Sequence, residues 1–180
     1  MRKMYLSAPL PFVGQKRMLA KEFMKVLEQY PDGTLFVDLF GGSGLLSHIT
    51  KSLKPHSTVI YNDFDNYRFR MKHIPQTNQL LADIREMVGN SVPRHKIIKG
   101  ELRERIFSRI EQEENSTGYV DFITLSSSIL FSMKYKLSVQ DMRKEALYNN
   151  IRKTGYPECT DYLEGLEIVS CDYKEVFNRY

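Results

Sequence analysis

The chain has 180 residues, 42% of them hydrophobic and 27% charged, with a formal net charge of +4. That composition suits a globular domain with one core and room for an inserted lobe, and it excludes a disordered or collagen-like chain. The charge permits nucleic acid as a partner without demanding it. No apolar run approaches membrane-span length, and the basic start "MRKMYLSAPLPFVGQK" has no sustained apolar stretch behind it, so the expected compartment is the cytoplasm. The cysteines, Cys159 and Cys171, lack the partners of a four-ligand zinc site; they are read as reduced thiols, and no metal is expected.

Residues 15–30, "QKRMLAKEFMKVLEQY", place Leu19, Phe23, Val26, Leu27 and Tyr30 on one helical face, and "PDG" at 31–33 ends it. "TLFVDLF" (34–40) reads as a buried strand, "LLSHITKSL" (45–53) as a helix and "TVIYND" (58–63) as a second buried strand. Together they have the length of a parallel strand–helix–strand crossover. From about 77 to 153 the pattern is helical. "NQLLADIREMV" carries Leu80, Leu81, Ile84 and Val88, and "ELRERIFSRIEQEE" carries Leu102, Ile106 and Ile110. "VDFITLSSSILFSM" would suit a strand or a helix; Phe122, Leu125, Ile129 and Met133 favour the helix. "SVQDMRKEALYNNIRK" opens with Ser138 and Asp141 at capping-box spacing. "LEIVSCDY" (166–173) reads as a third buried strand. The expected fold class is α/β: a doubly wound parallel sheet, formed by 1–74 and 162–180, interrupted by a helical insertion over 75–161.

Each of the three strands closes on an acid: Asp38, Asp63 and Asp172. Ligands of open parallel sheets sit at the carboxyl ends of the strands. Gly41, Gly42 and Gly44 let the backbone turn sharply and approach a ligand, and the helix behind them offers free N–H groups. An acid ending the second strand is placed to hold ribose hydroxyls. The dinucleotide fingerprint is only partly met, because Ser47 stands where its third glycine belongs, and no Lys-Ser or Lys-Thr follows to make a phosphate-binding P-loop. Asp38, just before the glycines, would repel a pyrophosphate and suits a ligand with a cationic end, such as S-adenosylmethionine.

These segments resemble the Dam-type DNA adenine methyltransferases. "PFVGQK" (11–16) looks like that family's N-terminal cofactor motif, with Phe12, Gly14 and Lys16 matching. "DLFGGSG" (38–44), which includes Phe40 and Ser43, is close to D-P-F-x-G-S-G with Leu39 for the proline. "IYND" (60–63) is similar to the ribose segment, and "SCDY" (170–173) to the segment whose acid meets the cofactor's adenine, with Tyr173 as an aromatic neighbour. The resemblance implies S-adenosylmethionine as cofactor, duplex DNA as substrate and the helical insertion as the target-recognition lobe. Phe12, Gly14 and Lys16 would flank the amino-acid end of the cofactor. Asp38 and the Gly41–Gly44 loop would hold its amine and tail, Asp63 its ribose and Asp172 its adenine edge. Phosphate contacts would come from Lys134, Lys136, Arg143 and Lys144, within a stretch 134–153 that also holds Arg152 and Lys153.

Plainer roles exist for each. The glycines can serve as a strand–helix turn, Asp172 as a helix cap, Tyr173 as core, Lys16 as a solvated side chain and the basic stretch as a solvated helix face. His48, His56, His73 and His95 form no nucleophile or metal arrangement.

One family feature is absent from residues 1–180: there is no Asp-Pro-Pro-aromatic segment, and no Pro-Pro at all. That segment would accept both hydrogens of the target amine and stack on the flipped base. In the family's strand order, 3-2-1-4-5, its strand pairs with the first. The expectation is therefore an uncovered edge on "TLFVDLF", an aggregation hazard. It would be relieved in one of three ways: the chain is a truncated product, which is the reading preferred, or a second polypeptide or a homodimer covers the edge. The chain alone is expected not to transfer methyl groups. Two other readings stay open: a non-catalytic module of methyltransferase shape that binds DNA or protein, and a nicotinamide dinucleotide enzyme.

Overall fold

The computed structural model describes residues 3–14, 16–131 and 134–180. Gln15, at the head of the first expected helix, and Met133, from the expected face of 120–133, lie outside the described residues. The chain divides into two compact units, Met1–Lys72 with Glu158–Tyr180, and His73–Pro157.

In the first unit, a 3-10 turn (Lys16–Leu19) leads into α1 (Ala20–Glu28). Then come β1 (Phe36–Asp38), α2 (Leu45–Leu53), β2 (Val59–Asn62) and α3 (Tyr67–Lys72). After the insertion, β5 (Glu167–Val169) and α8 (Tyr173–Arg179) complete the unit. Among the described residues the strands form one parallel sheet in the order β1-β2-β5. Phe36 lies opposite Val59 and Asp38 opposite Tyr61, while Ile60 faces Glu167 and Asn62 faces Val169. β2 is buried throughout, whereas β1 is half-buried and pairs, among the described residues, with β2 alone.

The α/β reading holds, with two corrections. The first concerns the face of α1. The packed stripe is Ala20, Phe23, Met24 and Leu27, which meets Phe36, Leu45 and Ile49. Leu19, Val26 and Tyr30 are exposed. The helix begins only at Ala20, so Leu19 belongs to the tighter 3-10 turn, where the 3.6-residue period does not apply. The second is strand length: the expected seven-residue first strand pairs only over Phe36–Asp38, because Leu39 and Phe40 turn away into the glycine loop, and the expected third buried strand, 166–173, pairs only over Glu167–Val169, is exposed to half-buried, and gives way to α8 at Tyr173.

The second unit contains α4 (Ile74–Val88), β3 (Ile97–Ile98), α5 (Gly100–Thr117), α6 (Phe122–Ile129), α7 (Val139–Arg143) and β4 (Leu147–Tyr148). α5 packs against α4 and α7. Ile84, Ile106, Phe107, Ile110, Leu125 and Met142 are among its fully buried side chains. α6 is the helix chosen for the ambiguous segment, and Asp121 caps it by accepting from Thr124 N–H at 3.0 Å. Ser138 caps α7 as its spacing predicts, accepting from Asp141 N–H at 3.2 Å. The long helix expected from 138 onward ends at Arg143, however, and Leu147–Tyr148 instead pair antiparallel with Ile97–Ile98. Leu147 and Ile151 are both buried, and their four-residue spacing fits a helix as well as it fits a ladder and its exit.

Candidate functional site

The loops leaving β1, β2 and β5 meet at one end of the sheet and enclose a cavity of about 480 Å³. That volume lies in the range of small-molecule sites, roughly 300–1,000 Å³. Its walls come from four places: Phe12, Val13, Gly14 and Lys16 before α1; Leu39 to Ser43 after β1; Asn62, Phe64 and Asp65 at and after β2; and Asp172 with Tyr173 after β5.

The glycines are needed by packing. A Cβ on Gly41 would stand 2.3 Å from the Tyr61 ring, inside atomic contact. Gly42 takes a left-handed φ of 52°, and a Cβ there would approach Phe12 Cε1 to 2.9 Å. The Tyr61 hydroxyl lies 2.7 Å from the Gly42 carbonyl oxygen and 3.0 Å from Asp63 Oδ1, so its one proton serves one acceptor at a time. Phe12 is anchored from α3: Leu10 N–H donates to the Tyr67 hydroxyl at 2.9 Å, Arg70 Nη2 donates to the Pro11 carbonyl at 2.8 Å, and the Phe12 and Tyr67 rings meet edge to face. Lys16 Nζ donates to the Phe40 carbonyl.

Asn62 ties the walls together. Its Nδ2 donates to the Leu39 carbonyl at 3.1 Å and to the Cys171 carbonyl at 3.0 Å, and its Oδ1 accepts from Cys171 N–H at 3.2 Å. One buried amide on the central strand thus joins the loops leaving both neighbours. The sequence reading passed over Asn62; a polar residue ending an otherwise apolar buried strand was the available signal.

The sequence-derived residues separate into two groups. Phe12, Gly14, Lys16, Phe40, Gly41, Gly42, Ser43, Asp172 and Tyr173 line the cavity. Asp38, Gly44 and Asp63 do not. Asp38 Oδ2 accepts from Ser47 Oγ at 2.7 Å, and Gly44 forms the N-cap of α2. Asp63 is buried, and its oxygens accept from Tyr67 N–H at 2.6 Å and Arg68 N–H at 2.9 Å at the start of α3. Burial pushes the Asp63 carboxyl above its ordinary range, against these two N–H groups and the Tyr61 hydroxyl, which pull it down. Asp65, absent from the sequence reading, is the acid after β2 that faces the cavity. Asp172 both lines the cavity and caps α8, where its Oδ1 accepts from Lys174 N–H at 2.8 Å.

The Phe40 and Tyr173 rings, with centroids 5.1 Å apart, form a wall shared with an apolar groove of about 400 Å³ lined by Leu39, Phe40, Tyr173, Lys174, Phe177 and Asn178. In the helical unit, the cations expected to meet phosphate are paired with carboxylates. Lys134 and Lys136 lie 2.6 and 2.9 Å from Glu145, Arg143 lies 2.7 Å from Glu104 and 2.9 Å from Glu111, and Lys144 lies 2.7 Å from Asp141.

The donor set suits S-adenosylmethionine: aromatic faces for an adenine ring and a sulfonium, a lysine for a carboxylate, and two acids for hydroxyl and amine donors. Among the described residues no helix is long and apolar enough to cross a membrane.

A Haemophilus influenzae protein named "Putative methyltransferase" is 39% identical over 183 residues, an alignment covering 99% of this chain. The chain spans 61% of that relative's length. Residues 12–157 match the family model described as D12 class N6 adenine-specific DNA methyltransferase, a span that takes in the glycine loop, Asp65 and the helical unit. The chain belongs to the D12 class of N6 adenine-specific DNA methyltransferases.

Proposed function

We propose that the cavity binds S-adenosylmethionine and that this chain serves methyl transfer to the exocyclic amine of adenine in duplex DNA. The observation that carries the reading is the convergence of aromatic rings, Lys16, Asp65 and Asp172 at the carboxyl ends of three parallel strands. When bound, the cofactor supplies an electrophilic methyl group. The chain's residues bind and orient. Phe12, Phe40 and Tyr173 offer π faces to the adenine and the sulfonium. Asp172 retains Oδ2 for the adenine amine, and Lys16 attracts the carboxylate. Asp65 takes the ribose hydroxyls, while Asp63 and Asp38 act as positioning residues that hold the first turns of α3 and α2. Calorimetric titration tests this: S-adenosylmethionine should bind and NAD should not, and binding of NAD alone would return the dinucleotide reading.

Residues 1–180 contain no Asp-Pro-Pro-aromatic segment, so they offer nothing in that form to accept the hydrogens of the target amine. The uncovered edge of β1 and the apolar groove beside it suit a further strand that would bring such acceptors next to the cavity. That strand would come from polypeptide other than residues 1–180, because a second copy of these residues holds no such segment. The 180-residue chain should bind cofactor without turnover; methylation of DNA by this chain alone would refute the point. A second reading stays open: a methyltransferase-shaped module that binds DNA or protein without catalysis. DNA binding with no cofactor binding would select it.

A further inference from the structure

Two groups of cations in the helical unit differ in their surroundings. Arg109, Lys134, Lys136, Arg143 and Lys144 each lie within 2.9 Å of a carboxylate. The second set gathers where the β3–β4 ladder runs out. His95 N–H donates to the Asn149 carbonyl and Asn149 N–H to the Lys96 carbonyl, both at 2.9 Å, which lays 94–96 beside 149–151. Arg94 Nη1 donates to the Ile151 carbonyl, and Arg85 Nε donates to the Arg152 carbonyl at 2.8 Å. The Arg152 guanidinium carbon stands 4.3 Å from the centre of the Tyr156 ring. Two guanidinium groups are thus drawn to the carbonyls of two consecutive residues, and a third, that of Arg152, belongs to one of those residues and lies over Tyr156; the exposed Lys96 and Lys153 flank them. Among the described residues none of these five cations has a carboxylate in ion-pair range.

Gathered like charges repel unless a counter-charge arrives from outside. Arg85 and Arg94 use part of their five N–H donors on backbone carbonyls, which fixes the direction of the guanidinium fork and leaves the other donors for an anion. Such forks match paired phosphate oxygens better than a single ammonium does. The cations of 134–144 are already neutralised by neighbours, and a phosphate would have to displace a carboxylate to reach them.

We infer that Arg85, Arg94, Lys96, Arg152 and Lys153 form a phosphate-contacting surface for the backbone of duplex DNA, and that Lys134, Lys136, Arg143 and Lys144 do not. The choice of duplex DNA as occupant rests on the function proposed above; the separation of the two sets of cations does not.

The test is duplex binding by the 180-residue chain, followed by fluorescence anisotropy from 50 to 300 mM salt. Each phosphate contact contributes about 0.9 to the slope of log affinity against log salt. The triple variant Lys96→Gln, Arg152→Gln, Lys153→Gln avoids the two arginines that brace the backbone. It should bind at least about tenfold more weakly at low salt and lose roughly 2 to 3 from the slope, equally on duplexes of unrelated sequence. The double variant Lys134→Gln, Lys144→Gln should change affinity less than about twofold and leave the slope alone. Circular dichroism confirms that both variants stay folded; should the triple variant unfold, Lys153→Gln alone, losing about 0.9 in slope, carries the test. The inference is overturned if the double variant loses slope and the triple does not, or if the parent chain binds S-adenosylmethionine but no duplex. It is also overturned if polyglutamate of equal charge competes as well as DNA, which would point to an acidic protein partner. Failure to bind S-adenosylmethionine alongside the expected change in slope would remove the cofactor reading and leave this surface standing.

Discussion

The sheet unit commits its buried polar groups to the backbone, while the helical unit pairs its charges at the surface. In the sheet unit Asn62 joins two loop carbonyls and an N–H group, and Asp63 holds the start of α3. Their partners are fixed main-chain groups that cannot move away, so loss of either side chain leaves buried groups unsatisfied. In the helical unit Arg143 bridges Glu104 and Glu111, and Glu145 receives two lysines, in contacts open to water and salt. A binding cavity needs the first arrangement, because its walls must keep their places whether or not a ligand is present.

The sharpest way to break this contrast is Asn62→Leu. It removes three hydrogen bonds at the centre of the sheet and should destabilise the protein by about 3 kcal/mol, with cofactor affinity lost beyond detection. Denaturant melts and calorimetry check it, and an unchanged affinity would mean that the loops hold without the amide. Gly41→Ala comes next. Its Cβ would overlap the Tyr61 ring, and the expected loss is about 1–3 kcal/mol, visible as a lower denaturation midpoint. Phe40→Ala and Tyr173→Ala should each weaken S-adenosylmethionine binding roughly tenfold without altering hydrogen exchange in the helical unit, since both side chains are partly exposed walls rather than core.

Acid sets the two units against each other. The Asp63 carboxyl is raised when folded, so its contribution to stability is fully present below the unfolded value and is lost as pH rises through the folded one. Arg143 and Arg103 beside Glu104, and Lys134 and Lys136 beside Glu145, hold those carboxyls below their ordinary range. Their contributions are present above the unfolded values and are lost as pH falls through the folded ones. Native-state hydrogen exchange read by unit should therefore show the helical unit losing protection as pH drops below about 4.5, the ordinary glutamate range. Asp63→Asn should flatten the pH dependence of the sheet unit alone. The smallest effect belongs to Lys144→Gln: Lys144 and Asp141 are both exposed, and the melting temperature should not move measurably.

Local pattern carried most of α2, β2 and α5, because each has a period or an apolar run long enough to be read by itself. It also carried the cavity's Gly41 and Gly42, since a strand, a glycine knot and a helix in succession leave few other uses for that corner, whereas Phe40 came only from the resemblance of the 38–44 segment to a family motif. The same logic misplaced the face of α1, where a 3-10 turn shifts the phase, and stretched a helix past Arg143 into β4. Two-residue strands such as Ile97–Ile98 are too short to show alternation, so only their pairing partner reveals them.

Sequence by itself determined that this chain builds a parallel α/β core interrupted along the chain by a helical insertion, with a glycine-rich corner after the first strand, because those features depend on near neighbours along the chain. Tertiary structure alone decided which acids face the cavity and which cations remain unpaired. Asp63 and Asp65 differ by two positions, and the sequence favours Asp63 because it ends the strand, yet Asp63 is turned inward by the N–H groups of α3 while Asp65 lines the cavity. Lys144 and Arg152 look alike in a basic stretch, but one meets Asp141 and the other lies over Tyr156. Exposure and pairing are properties of where distant segments come to rest, and no local pattern along the chain encodes them.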